Sequence, residues 1–595
     1  PQAEVDRLRD ARRPTDARAG WDVVLRPPKG YSVLWAVGGA ELGDTLVAIH
    51  HQAVETALSY LEDAAATART TATVGGERKR VRTAAGGFVV AAFDHRDSRA
   101  GDPLLHTHCV IANATRMGDG HWAGVDPVGL YRHGLAADAV YQASFRHLAE
   151  YRLGLAADTV IRGWADVAGV PRSVVEHFSK RSEDIAAELE RLGSDSPAAR
   201  QAAALATRAA KGLREGDAGL HERWRVEAAE IGFGAPEVAA CLGRTAGVAL
   251  TDGQVEAAFD RLGGPHGLTE CAATFGRADV ICALAGALGT GADGEALVSL
   301  ADAFLASDRV TQVREHRAGM PRPRLLDAPG GAFVDHLADA AFTTPDLAAV
   351  ERRLMAAATE ADTAGPVLSA ERIEATLAAR PRLSDEQRAM VRAVCASPTR
   401  LRPVVGYPGA GKTYATEAVV AAFGSAGIPV IACAVTAEAA DELARATGLT
   451  NGACDTVART LVDLDHPVYG GLAPGTVVIL DEASTAGHRD LERLVTHVEA
   501  AGGALVLVGD PHQHGAVGPG HFFAWLVGRD GGALATLADN HRQRDVVGDD
   551  GSVVVSMAPE RSAIEAFREG RVAESFARRD AVGLITRAAS APELY

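Results

Sequence analysis

A glycine-rich octapeptide constrains the fold of this chain more than any other feature. It reads Gly-Tyr-Pro-Gly-Ala-Gly-Lys-Thr and stands between an apolar, strand-like run at 401–405 and a helical run at 414–423. In this order, backbone N–H groups curl around phosphates and the helix N-terminus adds positive potential. Lys412 then reaches the β- and γ-phosphates, and the Thr413 hydroxyl binds Mg²⁺. The pattern predicts ATP and Mg²⁺ binding by Gly406, Gly409, Gly411, Lys412 and Thr413.

Two further apolar runs place polar residues where a parallel sheet binds its ligand. The run 477–480 ends in Asp481 and Glu482, and the run 505–508 leads to Gln513. Ligands bind beyond the carboxyl ends of parallel strands. We therefore predict that Asp481 holds Mg²⁺ through water, that Glu482 activates the attacking water and that Gln513 senses the γ-phosphate. Taken singly, each of these residues would be interpreted as an ordinary polar side chain on the protein surface.

A histidine cluster marks the N-terminal part. His106 and His108 are two apart in an extended run, so their side chains share one face of a strand. His95 follows the strand-like run 87–93, and the polar segment 96–103 is a natural reversal between the two strands. A hairpin would unite three imidazoles, which bind a divalent cation (Mg²⁺, Mn²⁺ or Zn²⁺) and leave positions open for a phosphate. Surface histidines remain the alternative, and zinc hydrolases use the same triad.

The composition of the 595-residue chain narrows its class. A net charge of −17 argues against non-specific coating of nucleic acid, so DNA contact has to come from particular sites. Seven scattered cysteines without a CxxC pair favour a reduced chain that lacks a cysteine-based zinc site. No apolar run reaches the length of a membrane span, so we expect a cytoplasmic protein without membrane insertion.

The pattern of elements predicts a multidomain α/β protein with three parts. Residues 1–165 mix strands and helices and carry the histidines. Residues 166–380 are rich in alanine, glutamate and arginine and read as mainly helical, with no chemical constellation. Residues 381–595 alternate short apolar strands with helices, which predicts a parallel α/β sheet around the P-loop.

The N-terminal part resembles the MobF (TrwC/TraI-type) conjugative relaxases. The resemblance rests on the run from His95 to His108 followed by Asn113, and on further matches across residues 20–160, including Gly20-Trp21-Asp22 and Pro28-Lys29. It implies a palm-like antiparallel-sheet domain, in which the three histidines hold the cation that polarises the scissile phosphate. It also implies that Asp22 orients a histidine or assists deprotonation of the nucleophile.

Two departures from the relaxase pattern stand out. The family's APKSVS stretch reads PPKGYS here, so the family's local backbone contacts to DNA cannot be carried over to this segment. Family relaxases attack DNA with a tyrosine near their N-terminus, but this sequence has no tyrosine before Tyr31. We place Tyr31 on the strand after the Pro-Lys pair and do not expect it to be the nucleophile. The nicking half is therefore expected to be incomplete at the N-terminus.

The C-terminal part resembles the first RecA-like domain of a superfamily 1, RecD-like helicase. The P-loop, Asp481-Glu482 and Gly509-Asp510-Pro511-His512-Gln513 carry the match. The resemblance implies that Gln387 reads the adenine and that Arg542 contacts the γ-phosphate. A helicase needs two such domains, so the motor is expected to be incomplete at the C-terminus.

The resemblances together imply a conjugative relaxase–helicase that nicks DNA at a transfer origin and then unwinds it. Single-stranded and origin DNA, a coupling protein and relaxosome proteins are the implied partners. For the chain by itself we expect binding of ATP, Mg²⁺, a divalent cation and weakly DNA, with little nicking or unwinding. Two alternatives stay open: a three-histidine metallohydrolase fused to a P-loop ATPase, and a non-catalytic DNA-binding remnant.

Overall fold

The computed structural model divides the chain into two compact units. Unit 1 comprises Pro1–Leu268 and Thr274–Thr344, and unit 2 comprises Thr269–Ala273 and Pro345–Tyr595. The predicted boundaries near residues 165 and 380 stay a prediction. The structure describes residues 18–74, 77–161, 163–194, 196–207, 217–245, 249–289, 291–313, 341–359, 365–449, 452–468, 470–513, 515, 518–529, 532–539, 546–547, 553–555, 557–568 and 570–585.

Unit 1 combines a small antiparallel sheet with a largely helical remainder. Its strands are β1 (Gly20–Leu25), β2 (Thr67–Val74), β3 (Glu77–Ala84), β4 (Val90–Asp97), β5 (Pro103–Ala112), β6 (Thr115–Arg116), β7 (Trp122–Ala123), β8 (Thr311–Val313) and β9 (Ala341–Thr343). Its helices are α1 (Lys29–Val37), α2 (Ala40–Ala65), α3 (Pro127–Leu153), α4 (Arg172–His177), α5 (Lys180–Leu192), α6 (Pro197–Ala206), α7 (Asp217–Glu230), α8 (Ala235–Cys241), α9 (Asp252–Gly263), α10 (Arg277–Ala287) and α11 (Gly294–Leu305). The predicted mixture of strands and helices is confirmed.

The central sheet of unit 1 is antiparallel, in the order β1-β5-β4. Along β5, Leu105, Cys109 and Ile111 point into the hydrophobic core. Val110 lies on the opposite face and is 37% exposed. One face of the sheet therefore packs against the core. Because successive side chains of a strand point to opposite faces, the other face of the sheet is open.

The strand predicted at 87–93 is shifted in the structure, where β4 covers Val90–Asp97. The backbone N–H of Phe88 donates to Glu62 Oε2 at 2.8 Å and takes no part in the sheet. Pairing with β5 then continues through His95 to Asp97. His95 thus lies within a strand, because hydrogen bonding to the partner strand outweighs the polar character of these residues.

The prediction of a strand at Tyr31 is wrong. Tyr31 lies in helix α1 and is fully buried, in edge-to-face contact with Phe145. The backbone N–H of Gly30 donates to both carboxylate oxygens of Asp166, at 2.8 and 3.1 Å. This acceptor at the first turn, together with burial on all sides, favours a helix for an apolar run with strand propensity.

Helices α2 and α3 pack antiparallel behind the sheet. Between the two helices, the Tyr60 hydroxyl lies 2.9 Å from His133 Nδ1, and the His50 Nδ1 atom lies 2.7 Å from the Tyr141 hydroxyl. The other nitrogen of His50 lies 2.8 Å from the hydroxyl of Thr107, on β5. Burial lowers the pKa of His50 to about 3, so its ring is neutral and bridges the helices to the sheet.

Unit 2 is a parallel α/β domain. Its strands are β10 (Leu401–Gly406), β11 (Val430–Ala434), β12 (Cys454–Thr456), β13 (Val477–Asp481), β14 (Ala504–Gly509), β15 (Ala535–Leu537), β16 (Val546–Val547) and β17 (Val553–Val555). Its helices are α12 (Pro345–Thr359), α13 (Ala370–Ala378), α14 (Asp385–Ala396), α15 (Lys412–Ser425), α16 (Ala437–Thr447), α17 (Val457–Leu464), α18 (His488–Ala500), α19 (Phe522–Val527), α20 (Ala558–Arg568) and α21 (Val572–Ala581). The predicted parallel sheet is confirmed.

Six parallel strands form the sheet of unit 2, in the order β12-β11-β13-β14-β10-β15. Every residue of β13 and β14 is buried, because helices cover both faces of the sheet. The order places β14 directly beside the P-loop strand β10, and β13 on the other side of β14. Among the described residues, no helix combines the length and apolar character needed to cross a membrane.

We predict that Gly30→Ala destabilises unit 1. A Cβ atom at this position would lie 2.3 Å from Asp166 Oδ1, so the carboxylate would have to leave the start of α1. We expect the free energy of unfolding to fall by about 1–3 kcal/mol, the usual cost of overpacking. Urea unfolding followed by tryptophan fluorescence measures this, since five of the six tryptophans lie in unit 1.

Gly134→Ala is the matched control, because a Cβ atom added there meets nothing within 4 Å and the position is inside helix α3. Helix propensity predicts no loss for this variant, and a gain of up to about 1 kcal/mol. Equal unfolding curves for Gly30→Ala and the unsubstituted chain would show that Asp166 does not determine the start of α1.

Candidate metal centre and nucleotide site

Three histidine side chains come together on the open face of the β1-β5-β4 sheet. His95 is the cross-strand partner of His106, and His108 follows two residues later. One potential ligand atom from each ring lies within 4.8 Å of the other two. The ring centroids are 4.7–5.3 Å apart. The predicted hairpin is confirmed, and its geometry fits one cation held by three imidazole nitrogens.

Hydrogen bonds outside the cluster orient two of these rings. His108 Nδ1 lies 2.7 Å from Asp22 Oδ2, and His106 Nδ1 lies 2.8 Å from the carbonyl oxygen of Leu104. Because both partners only accept, each Nδ1 carries the proton and each Nε2 keeps its lone pair for a cation. Asp22 comes from β1, so all three strands of the sheet contribute to the site.

The site is buried on one side and open on the other. His106 is 7% exposed, and burial lowers the pKa of its imidazole, which keeps the ring in the neutral form that binds metal. The side chain of Asp22 is 48% exposed. Neutral ligands leave the charge of a bound cation uncancelled, so an anionic group arriving from the open face would be attracted to it.

The P-loop adopts the conformation that its glycines allow. Gly409 and Gly411 have φ values of +80° and +72°, a backbone conformation that residues with a Cβ atom rarely adopt. Gly411 precedes the first turn of α15, where Lys412 and Thr413 stand. A Cβ atom on Gly406 would lie 2.5 Å from Lys412 Cδ, so glycine is also needed for the lysine to fold back over the loop.

Asp481 and Glu482 lie at the carboxyl end of β13, as predicted. Burial raises the pKa of the Asp481 carboxyl, while the nearby Lys412 ammonium acts in the opposite direction. Glu482 has φ +52°, the single positive value at a non-glycine position among the described residues. Its N–H donates to Asp481 Oδ1 at 2.9 Å, and its carbonyl oxygen accepts from the Thr485 N–H at 2.9 Å. A non-glycine residue that hydrogen bonds keep in this rarely populated backbone conformation is typical of functional sites.

The remaining predicted nucleotide residues fall in different places. Gln513 follows β14, where its N–H donates to the carbonyl oxygen of Asp510 at 3.2 Å. The Gln387 amide donates to the P-loop carbonyl oxygens of Ala410 and Gly411, at 3.4 and 3.2 Å. In this structure Gln387 therefore holds the loop, and contact with adenine stays a prediction. Arg542 lies outside the described residues.

Sequence reasoning missed a carboxylate beside Gln387. Glu386 Oε2 accepts from the backbone N–H groups of Ala538 and Asp539, at 2.7 and 3.0 Å. The start of α14 thus contacts both the P-loop and the segment that follows β15. No sequence signal reveals this pairing, because the partners are more than 150 residues apart.

We predict that Asp22→Ala weakens metal binding by about 10–100-fold, the usual cost of removing a hydrogen-bond partner of a metal-binding histidine. Without the carboxylate, His108 loses the contact that orients its ring. Calorimetric titration with Mn²⁺ measures the affinity. Asp119→Ala is the control, since Asp119 forms a comparable exposed pair with His121 away from the cluster. Equal losses in both variants would rule out the orienting role of Asp22.

Comparison with known families gives two matches within the chain. Residues 2–231 match the family model for the TrwC relaxase, and residues 382–590 match the model for an AAA domain. The first range contains the histidine cluster and Asp22, and the second contains the P-loop, Asp481 and Gln513.

Curated relatives are conjugation proteins. The multifunctional conjugation protein TraI of Escherichia coli is 34% identical over 242 residues, which is 39% of this chain and 13% of TraI. The conjugal transfer protein TraA of Rhizobium radiobacter is 32% identical over 207 residues, which is 34% of this chain and 18% of TraA. The chain spans less than a fifth of the length of the curated relatives it matches.

A solved structure of the conjugative relaxase TrwC in complex with oriT DNA, in its metal-bound form, is 32% identical to this chain. The alignment covers 38% of this chain and 76% of that protein, with a TM-score of 0.33. The two family matches and the relatives agree with the resemblances read from the sequence. This chain therefore carries a TrwC relaxase domain followed by an AAA domain, the combination of a MobF relaxase with a helicase-like domain.

Proposed function

We propose that this chain acts in conjugative DNA transfer as a relaxase–helicase, which nicks DNA at a transfer origin by metal-dependent transesterification and drives unwinding with ATP. The observation that carries this proposal is the cluster of His95, His106 and His108 on an open sheet face, with Asp22 on His108, inside the range that matches the TrwC relaxase. The names of the relatives TraI and TraA support a role in conjugation.

In the relaxase half, the three histidines would hold a divalent cation such as Mg²⁺, Mn²⁺ or Zn²⁺. The bound cation would act as a Lewis acid on a phosphodiester. Asp22 would keep His108 in the tautomer that binds metal, and its second proposed role, assisting deprotonation of the nucleophile, stays a proposal. Tyr31 is not the nucleophile, since its side chain is fully buried and burial raises its pKa well above the ordinary value.

In the helicase-like half, we assign each residue the role that its position in the P-loop unit supports. Lys412 and Thr413 would bind the phosphates and Mg²⁺ of ATP, with Asp481 holding the ion through water. Glu482 would activate the attacking water, and Gln513 would sense the γ-phosphate. Gln387 and Arg542 keep their proposed contacts with the adenine and the γ-phosphate.

The partners follow from the same proposal. The substrate would be single-stranded DNA and the DNA of a transfer origin, and coupling and relaxosome proteins would bring the chain to it. With a net charge of −17, DNA contact would come from local sites rather than from the overall field. We propose the cytoplasm as the place of action.

A test on DNA separates this proposal from its alternatives. We expect the Mn²⁺-loaded chain to bind fluorescent single-stranded oligonucleotides from the plasmid's transfer origin more tightly than the chelator-treated chain does. The double variant His106→Ala/His108→Ala should lose both the metal and this difference, because a cation binds the phosphate directly. Fluorescence anisotropy and metal analysis after dialysis provide the two readings, and His121→Ala serves as the exposed control.

Three results would count against the relaxase proposal. Hydrolysis of a simple phosphodiester, such as bis(p-nitrophenyl) phosphate, without preference for DNA would favour a metallohydrolase that uses water. Specific origin binding by a chain without ATP turnover would favour a non-catalytic remnant. An unchanged metal content in the double variant would remove the three-histidine site altogether.

We predict that Glu482→Gln separates ATP binding from ATP hydrolysis. Loss of the base should lower turnover by about 10²–10⁴-fold while binding is kept, since general-base catalysis contributes that range. Lys412→Ala should lose binding as well. Binding of a fluorescent ATP analogue and release of phosphate measure the two steps. Glu438→Gln, on the exposed first turn of α16, is the control. Normal turnover in Glu482→Gln would assign the base to another residue.

A further inference from the structure

The turn between β4 and β5 joins the two ligand-bearing strands. It closes with the Ser98 N–H donating to the Asp102 carbonyl oxygen at 2.8 Å, and the Gly101 N–H donating to the Ser98 carbonyl oxygen at 3.0 Å. The ladder between the strands is irregular at this end, because the register shifts between His95 and Asp97. Pairing is regular from Val90 to His95, and a bulge weakens the ladder where it occurs, so His95 is the last regularly paired residue of β4 before the turn.

Helix α7 holds this turn from outside the sheet. The indole N–H of Trp224 donates to the Gly101 carbonyl oxygen at 2.9 Å, and a guanidinium nitrogen of Arg223 donates to the same oxygen at 3.1 Å. Trp224 is fully buried, with its ring 5.8 Å from the Trp35 ring. The turn is therefore attached to a rigid part of the core through two adjacent residues of one helix.

Two lysines contact the two residues that follow Gly101. Lys180 Nζ lies 2.6 Å from Glu227 Oε1, on α7, and 3.6 Å from Asp102 Oδ1. Lys29 Nζ donates to the Pro103 carbonyl oxygen at 2.5 Å. Side chains from α7, α5 and α1 thus contact three consecutive residues at the end of the turn and the start of β5, namely Gly101, Asp102 and Pro103. All of these contacts lie between His95 and His106 along the chain.

We propose that Trp224 and Arg223 are positioning residues for the metal centre, which anchor the end of β4 nearest the turn and with it the position of the His95 imidazole relative to His106 and His108. This inference rests on the proposed metal-binding function of the histidines. It gives part of the helical region after residue 165 a role in the chemistry of the site. With the turn released, the irregular end of β4 after His95 would be free to rearrange, and the His95 imidazole would shift relative to those of His106 and His108.

Cobalt binding to the full chain tests the proposal, because the visible spectrum of Co²⁺ reports the geometry of its ligands. Trp224→Phe removes the indole donor and keeps an aromatic ring in the core. We expect its Co²⁺ affinity to fall by about 10-fold, the lower end of the range for residues that support metal ligands. We also expect the spectrum of the bound ion to change. Trp35→Phe is the matched control, since Trp35 packs against Trp224 in the same core.

A second pair of variants avoids the core. Arg223 and Arg225 are both exposed residues of α7, but among these two the contact with Gly101 belongs to Arg223, whereas Arg225 pairs with Glu222. Arg223→Leu should weaken Co²⁺ binding and alter its spectrum in the same direction as Trp224→Phe. Arg225→Leu should leave both unchanged.

The outcomes separate this proposal from the metal site itself. Wild-type affinity and spectrum in both Trp224→Phe and Arg223→Leu would overturn the positioning role. So would equal losses in Trp224→Phe and Trp35→Phe combined with no effect of Arg223→Leu, since general loosening of the core would then explain them. If His106→Ala still binds Co²⁺ like the unsubstituted chain, the proposed metal function fails instead.

Discussion

The pairing of β4 with β5 decides where the imidazoles of unit 1 stand. Successive side chains of a strand point to opposite faces, so a slip of one residue would turn His106 and His108 toward the core. The same slip would expose Leu105, whose burial stabilises the fold by about 1.5–3 kcal/mol. Cys109 and Ile111, which are buried on the same face of β5 as Leu105, favour the same register. The hydrophobic core therefore selects the register, and the open face receives the histidines as a consequence.

The site depends on more than this register. Asp22 and the Leu104 carbonyl oxygen determine which nitrogen of His108 and of His106 faces a cation. Behind the sheet, the neutral ring of His50 joins β5 to the long helices α2 and α3 through Thr107 and Tyr141. Thus β5 has polar contacts on both faces: those on the open face orient the metal-binding histidines, and those on the opposite face join the strand to the helices. Contacts on both faces leave the strand little freedom to move.

Unit 2 obeys a different constraint. Its inner strands are covered on both faces, so their polar residues can stand only at the strand ends. Parallel direction brings those ends to one edge, where Lys412, Asp481 and Gln513 follow β10, β13 and β14. The unusual backbone of Glu482 occurs at this edge, held by hydrogen bonds to Asp481 and Thr485.

Features that depend on near neighbours in the chain could be predicted from sequence. The P-loop requires a strand, glycines and a helix within a short segment, and the histidine hairpin requires two strands and one reversal. The neighbours of Tyr31 favour a strand, but burial on all sides and the Asp166 carboxylate produce a helix. The Gln387 amide donates to the P-loop, a contact that its own segment does not reveal, while its contact with adenine stays a prediction.

The sequence by itself determined that the chain has a phosphate-binding loop and a three-histidine hairpin, since both are set by local spacing and by the periodicity of strands. Only the tertiary structure decided which groups orient them. Asp22 reaches His108 because β1 pairs with β5, and Trp224 reaches Gly101 because α7 packs against the same core. These partners are separated by about 90 to 120 residues, and burial of apolar surface, which acts without regard to sequence distance, brings them together.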